Sequence, residues 1–216
     1  MTGASIRGLY AITDDDLIPA GALVQYVTHA LKGGASILQY RSKTADRDWH
    51  LHEAQNLAEI CRTFQVPFIV NDDVDLALAV SADGIHLGRD DMDLAAARRR
   101  LGNEFILGAS CYNSLQRALA AQAAGADYVA FGSFFPSPTK PHAVRADLEL
   151  LKQARAQIHI PIVTIGGITP KNAGALLEAG ADALAVIHGV FGQSDVKAAT
   201  ERYAALFRTH PKDGTG

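Results

Sequence analysis

The 216 residues, 48% of them hydrophobic, suffice for one well-covered core and are too few for two large domains. A net charge of −3 offers no bulk attraction to nucleic acid or to an acidic membrane surface, so any anion site has to be local. The two cysteines, Cys61 and Cys111, are far apart and lack metal-ligand spacing, so reduced thiols are expected.

The stretch MTGASIRGLYAIT has no apolar core of signal-peptide length, and no run approaches a membrane span. A cytoplasmic location is the expectation. The first apolar run, GLYAIT (8–13), precedes helical spacing at about 20–32. GGASILQY (33–40) then leads to a helix at about 46–63, and PFIVN (67–71) to one at about 73–80. SADGIHLG (81–88) is followed by a helix at about 93–101, and FILGAS (105–110) by one at about 114–124. AGADYVAFG (124–132) precedes a helix at about 146–157, PIVTIGG (161–167) one at about 170–179, and AGADALAVI (179–187) one at about 195–208.

Four of these runs share a phrase of small residues with Gly or Asp ahead of an apolar stretch. Gly suits the position just past a helix end because it tolerates positive φ, so the phrase reads as helix stop, tight turn and strand start. Strands that are apolar at nearly every residue are buried on both faces and parallel. About eight strand–helix units of this kind predict an α/β fold, a single (β/α)8 TIM barrel. The G-x-G-x-x-G turn of an open doubly wound sheet is absent after the first strand. The expected organisation is one catalytic domain over 1–208 with a flexible tail over 209–216.

In such barrels the active site is built from the C-terminal ends of the strands and the loops after them. Strand two ends in LQYRSK (38–43), placing Gln39, Arg41 and Lys43 two residues apart on one face with Ile37, while Leu38 and Tyr40 point to the helices. Buried cations need a partner, either an internal carboxylate or the oxygens of a bound phosphate. Strand three runs into Asn71, Asp72 and Asp73, and strand four into Asp90, Asp91 and Asp93. Asp73 or Asp93 suits a helix cap, which leaves Asp72 and Asp91 as candidate Mg2+ ligands, since this ion takes one or two carboxylates with water and phosphate oxygens. Ser110 is a ligand hydroxyl or a turn residue, His86 a core histidine, and Trp49 and His50 helix-face residues. The long proline-containing loop after strand six holds Ser137, Thr139 and Lys140. Gly166 and Gly167 after strand seven, with VIHGV (186–190) after strand eight, suit a backbone cradle for a phosphate. One cationic site with acidic neighbours and one backbone cradle imply two phosphorylated substrates.

Taken in order, LQYRSK, ND (71–72), DGIHLGRDD (83–91), FGSFFPSPTK (131–140) and IGGI (165–168) resemble the signatures of the thiamine-phosphate synthase family over nearly the whole chain. The resemblance implies a transferase of thiamine biosynthesis. It would join hydroxymethylpyrimidine diphosphate to hydroxyethyl-methylthiazole phosphate, giving thiamine phosphate and diphosphate. It implies Arg41, Lys43, Asn71 and Lys140 on the diphosphate, with Arg41, Lys43 and Lys140 as catalytic groups. Gln39 and Ser110 would line the pyrimidine site, and Asp72 and Asp91 would hold Mg2+. Ser137, Thr139, Gly167 and the backbone at Ile187 and His188 would meet the thiazole phosphate. His188 departs from the serine common in the family; a backbone contact survives that change and a hydroxyl contact does not. Two other readings stand beside this one, a thiazole tautomerase on a related barrel and a non-catalytic barrel that senses thiamine phosphate. Partners are expected to be two phosphorylated small molecules, neither nucleic acid nor membrane, and self-association into a homo-oligomer is left open.

Overall fold

The computed structural model describes residues 6–44, 46–136 and 144–210. Strands β1 (Gly8–Ile12), β2 (Ile37–Tyr40), β3 (Phe68–Asn71), β4 (Gly84–Leu87), β5 (Ile106–Tyr112), β6 (Tyr128–Phe131), β7 (Ile162–Ile165) and β8 (Ala183–Val186) pair in chain order. Every pairing is parallel, and β8 returns to β1, which closes the barrel. Helices α1 (Leu23–Lys32), α2 (Arg47–Phe64), α3 (Val74–Ala79), α4 (Leu94–Leu101), α5 (Leu115–Ala123), α6 (Leu148–Gln157), α7 (Ala173–Glu178), α8 (His188–Phe191) and α9 (Val196–Thr209) follow the strands.

Strand alternation divides the core in two. Tyr10, Ile12, Ile37, Ile69, Tyr128 and Val163 pack inside the barrel. Leu9, Ala11, Leu38, Tyr40, Phe68 and Val70 face the helices instead, as the period of two requires. The expected parity of Ile37 and Gln39 against Leu38 and Tyr40 therefore holds.

Asp46, Asp73, Asp93, Ser114, Asp147 and Asp195 each accept a bond from the backbone N–H three residues on, so six helices start on a side-chain cap. Each such cap contributes about 1 kcal/mol. The aspartate in the repeated phrase has a separate task at the other end of the barrel. Asp83 accepts from Phe68 N (2.8 Å), Asp127 from Leu107 N (2.7 Å) and Asp182 from Ile162 N (2.8 Å). Each one ties the start of its own strand to an N–H at the start of a neighbour.

Three boundaries differ from expectation. β2 stops at Tyr40 because Thr13 Oγ1 takes the Arg41 N–H (2.8 Å) and donates to the Arg41 carbonyl (3.0 Å), replacing the strand ladder. Arg41–Lys43 is therefore loop, and the alternation proposed for Gln39, Arg41 and Lys43 does not extend to Lys43. α7 begins at Ala173 and not at Pro170, because Asn172 turns the chain: its Oδ1 accepts from Thr169 N (2.8 Å) and its Nδ2 donates to Gly167 O (3.1 Å). The short α8 after β8 was not anticipated. At the C-terminus α9 runs through Thr209, and Arg7 donates to the His210 carbonyl at 3.1 Å; the rest of the expected tail, 211–216, lies outside the described residues.

Candidate active site

The site is assembled at the C-terminal rim of the strands. A cavity of about 350 Å³ opens there. Gln39 from β2, Arg41 beyond it, Asn71 from β3, Ser110 from β5 and Ile187 after β8 all line it, together with Tyr10, His86 and Tyr128. Five of the residues expected from sequence are thus gathered around one cavity by four strands, β2, β3, β5 and β8.

The cations at the end of β2 are paired with the loop after β1. Asp14, 2% exposed, accepts from Arg41 Nη1 at 3.4 Å. Lys43 Nζ lies 2.7 Å from Asp16, and Asp15 accepts from Ser42 Oγ (2.8 Å) and Lys43 N (2.6 Å). The internal carboxylates weighed against a phosphate partner are therefore real. Arg41 still reaches the cavity wall, whereas Lys43 sits on the outer rim, exposed and beside Asp16. The Lys43 ammonium is held above its ordinary pKa by that carboxylate.

Asp72 stands in the left-handed region at φ 64, directly after β3. Its carboxyl is pushed up to about 6, first by burial, then by a hydrogen bond and charge from Asp91; Asn71 and Arg41 pull the other way. Asp91 is held by Gly88 N at 2.6 Å. Two facing carboxylates, one of them strained toward protonation, form a donor set that a divalent cation would relieve. Among the described residues no group of three or more His, Cys, Asp or Glu side chains gathers around a point. Two carboxylates without a full cage suit an ion shared with a phosphorylated ligand. Asp73 and Asp93 are used as helix caps, and Asp90 pairs with Arg89 at 3.8 Å on the surface.

A second cavity of about 580 Å³ lies between the ends of β7 and β8 and the C-terminal helix. Gly167, Ile187 and His188 line it, and Lys171 and Arg202 add two cations. Gly166 and Gly167 both have positive φ, 103° and 62°. A Cβ on Gly167 would come within 2.3 Å of the Pro136 carbonyl, so only glycine permits this path for the chain. The cradle loop is anchored from outside by Tyr203 Oη, which donates to Ile168 O at 2.9 Å.

Ser137, Thr139 and Lys140 lie outside the described residues. Trp49 is exposed on α2, and His50 packs edge-on against Tyr40, so neither belongs to the cavity. His86 is satisfied, as expected of a core histidine, but it also forms part of the cavity wall. Tyr10, Tyr128 and Arg202 were not anticipated. The two tyrosines read as core aromatics within apolar runs, and Arg202 comes from a helix that no strand-end rule indicates.

A closed parallel barrel with cations, a carboxylate pair and a glycine cradle at its C-terminal rim defines a (β/α)8 enzyme with its polar site at the usual end. Known proteins narrow the class. The profile of the thiamine monophosphate synthase family matches residues 9–190, and the chain belongs to that family. It is 52% identical over 207 residues to the thiamine-phosphate synthase of Nitrosococcus oceani, covering 96% of this chain and 94% of that one. It is 53% identical over 205 residues to the thiamine-phosphate synthase of Azoarcus sp. BH72, covering 95% and 99% of the two chains. Among solved structures, thiamine phosphate pyrophosphorylase from Pyrococcus furiosus superposes with a TM-score of 0.87 at 38% identity, over 97% of this chain and 99% of that one.

Proposed function

We propose that the chain is a thiamine-phosphate synthase. It joins hydroxymethylpyrimidine diphosphate to hydroxyethyl-methylthiazole phosphate and releases diphosphate. The observation that carries the reading is the convergence of Gln39, Arg41, Asn71 and Ser110 on one cavity beside the Asp72–Asp91 pair, in a chain half identical to synthases over almost its full length.

The aminopyrimidine ring pushes electrons toward its exocyclic CH2, and the bond from that carbon to the diphosphate oxygen breaks. Negative charge grows on the leaving diphosphate, where Arg41 and Asn71 face the cavity and Lys43 and Lys140 are assigned to the same anion. Preorganised stabilisation of developing charge is usually the largest catalytic contribution. The thiazole nitrogen then donates its lone pair to the CH2, forming the new C–N bond. No protein nucleophile or base is needed at that step. Gly167, Ile187 and His188, with Ser137 and Thr139, hold the thiazole phosphate, and Lys171 and Arg202 add positive charge to that cradle. Asp72 and Asp91 would hold Mg2+, which when bound supplies further positive charge to the diphosphate.

The same reading takes 1–208 as one catalytic domain acting in the cytoplasm on two phosphorylated small molecules. No described helix is long and apolar enough to cross a membrane. The purified chain supplied with both substrates and Mg2+ is expected to release one diphosphate for each thiamine phosphate formed. Isomerisation of the thiazole phosphate with no diphosphate release would establish the tautomerase reading instead, and tight binding of thiamine phosphate without turnover the sensor reading.

A further inference from the structure

Five polar side chains from five strands form one unbroken hydrogen-bond chain at the cavity. Gln39 Nε2 donates to Tyr10 Oη at 2.8 Å, and the Tyr10 and Tyr128 hydroxyls are 2.8 Å apart. Tyr128 Oη lies 2.9 Å from His86 Nδ1, and His86 Nε2 lies 2.8 Å from Ser110 Oγ. Gln39 and both tyrosines are buried, and burial holds both phenols above their ordinary pKa, so they stay protonated. The chain is built rather than incidental. The Tyr128 ring stacks on His86 and meets Tyr10 edge-on, and a Cβ on Gly108 would fall 2.0 Å from Tyr128 Cζ.

Each phenol has a single proton to give. With Gln39 donating to Tyr10, the Tyr10 proton goes to Tyr128 and the Tyr128 proton to His86 Nδ1. The neutral imidazole then carries its proton on Nε2 and gives it to Ser110. What is left for the cavity is Gln39 Oε1, an acceptor, with the second Gln39 N–H beside it, and the Ser110 hydroxyl proton, a donor. Reversing one link alone strands a buried hydroxyl proton without an acceptor, which is costly. Reversing every link exchanges the two ends. In both directions one end of the chain offers the cavity an acceptor and the other end a donor.

We propose that Tyr10, Tyr128 and His86 are positioning residues that tie the hydrogen-bond polarity of Gln39 to that of Ser110, so that the cavity takes a planar ring with one donor and one acceptor on its edge and turns away a ring with acceptors alone. This deepens the synthase reading and rests on it for the placement of the pyrimidine. An aminopyrimidine meets the demand, with an amino N–H toward Gln39 Oε1 and a ring nitrogen accepting from Ser110.

The test uses two non-reacting rings as competitive inhibitors against the pyrimidine diphosphate. One is 4-amino-5-hydroxymethyl-2-methylpyrimidine, and the other is the same ring without its amino group. The wild-type chain is expected to prefer the amino ring by roughly tenfold or more. In Tyr128→Phe, which cuts the chain at its centre, the preference is expected to fall to about threefold or less, since the two ends then reorient independently. Inhibition by inorganic diphosphate should stay within about twofold of wild type, a split that general loosening of the fold would not produce. Tyr10→Phe, on another strand, should give the same result, which keeps the test open if one variant fails to fold. A folded Tyr128→Phe or Tyr10→Phe with the wild-type preference overturns the proposal. Wild-type turnover without inhibition by either ring overturns it too, by placing the pyrimidine elsewhere. If the wild-type chain does not turn over, calorimetric titration with the two rings reads the same preference directly; its presence in the wild type and its loss in Tyr128→Phe then refute the synthase activity and leave the role of the hydrogen-bond chain standing.

Discussion

Arg41 is held at three points before any ligand arrives. Thr13 Oγ1 clasps its backbone N–H and carbonyl, and buried Asp14 takes one arm of the guanidinium. Such a fork cannot be replaced by the point charge of lysine. Arg41→Ala is expected to lower kcat by about 10²–10³, the usual loss for one transition-state donor, and Arg41→Lys to recover only part of it. Steady-state kinetics with both substrates saturating checks this; full activity in Arg41→Lys would mean that the fork is not used. Across the rim, Asp72 and Asp91 repel one another unless a proton or a cation intervenes. Asp72→Asn should therefore raise the Mg2+ concentration needed for half-maximal rate by about tenfold or more, while KM for the thiazole phosphate changes little. A wild-type Mg2+ titration in that variant would remove Asp72 from the metal site.

The recurring small-Asp phrase becomes intelligible at the level of the element. Asp182 is mostly buried at the start of β8, where it accepts from Ile162 N and pairs with Arg155 at 3.0 Å. Removing it strands a strand-edge N–H at the end of the barrel away from the site. Asp182→Ala is expected to cost about 1–3 kcal/mol in urea unfolding with kcat unchanged; an unaltered midpoint would mean that solvent replaces the staple. The barrel itself was legible because strands buried on both faces read as continuous apolar runs, and a closed parallel sheet is the economical way to bury eight of them. Gln39, Arg41, Asn71 and Ser110 were legible because they follow those runs. Lys43 was misplaced because the pattern of alternation says nothing about Thr13, whose hydroxyl ends β2 early from another strand. Tyr10 and Tyr128 escaped for the opposite reason: inside apolar runs their rings satisfy the pattern, and only the paired hydroxyls, 118 residues apart in sequence, reveal the polar chain.

For the molecule as a whole, closure makes the two ends of the chain interdependent. β1 pairs with β8, α9 packs on α1, and Tyr203 of α9 steadies the cradle loop, so no part of the barrel forms a natural unit by itself. The two cysteines report on that property. Cys61, on the sheet-facing side of α2, and Cys111, within β5, are both buried. Burial pushes both thiols from 9.0 up to about 12, with the Asp83 charge adding to the effect at Cys61 and Arg117 opposing it at Cys111. The thiolate is the reactive species, so this shift alone lowers its fraction near pH 8 by about a thousandfold, before exclusion of the reagent is counted. In native buffer a thiol reagent is therefore expected to label neither cysteine on the timescale that labels a free thiol. In rising urea both should react together, at the midpoint seen by circular dichroism, because exposing either one requires the barrel to open. Early labelling of Cys111 alone would show that β5 parts from its neighbours locally, and the closed sheet would then not unfold as one unit.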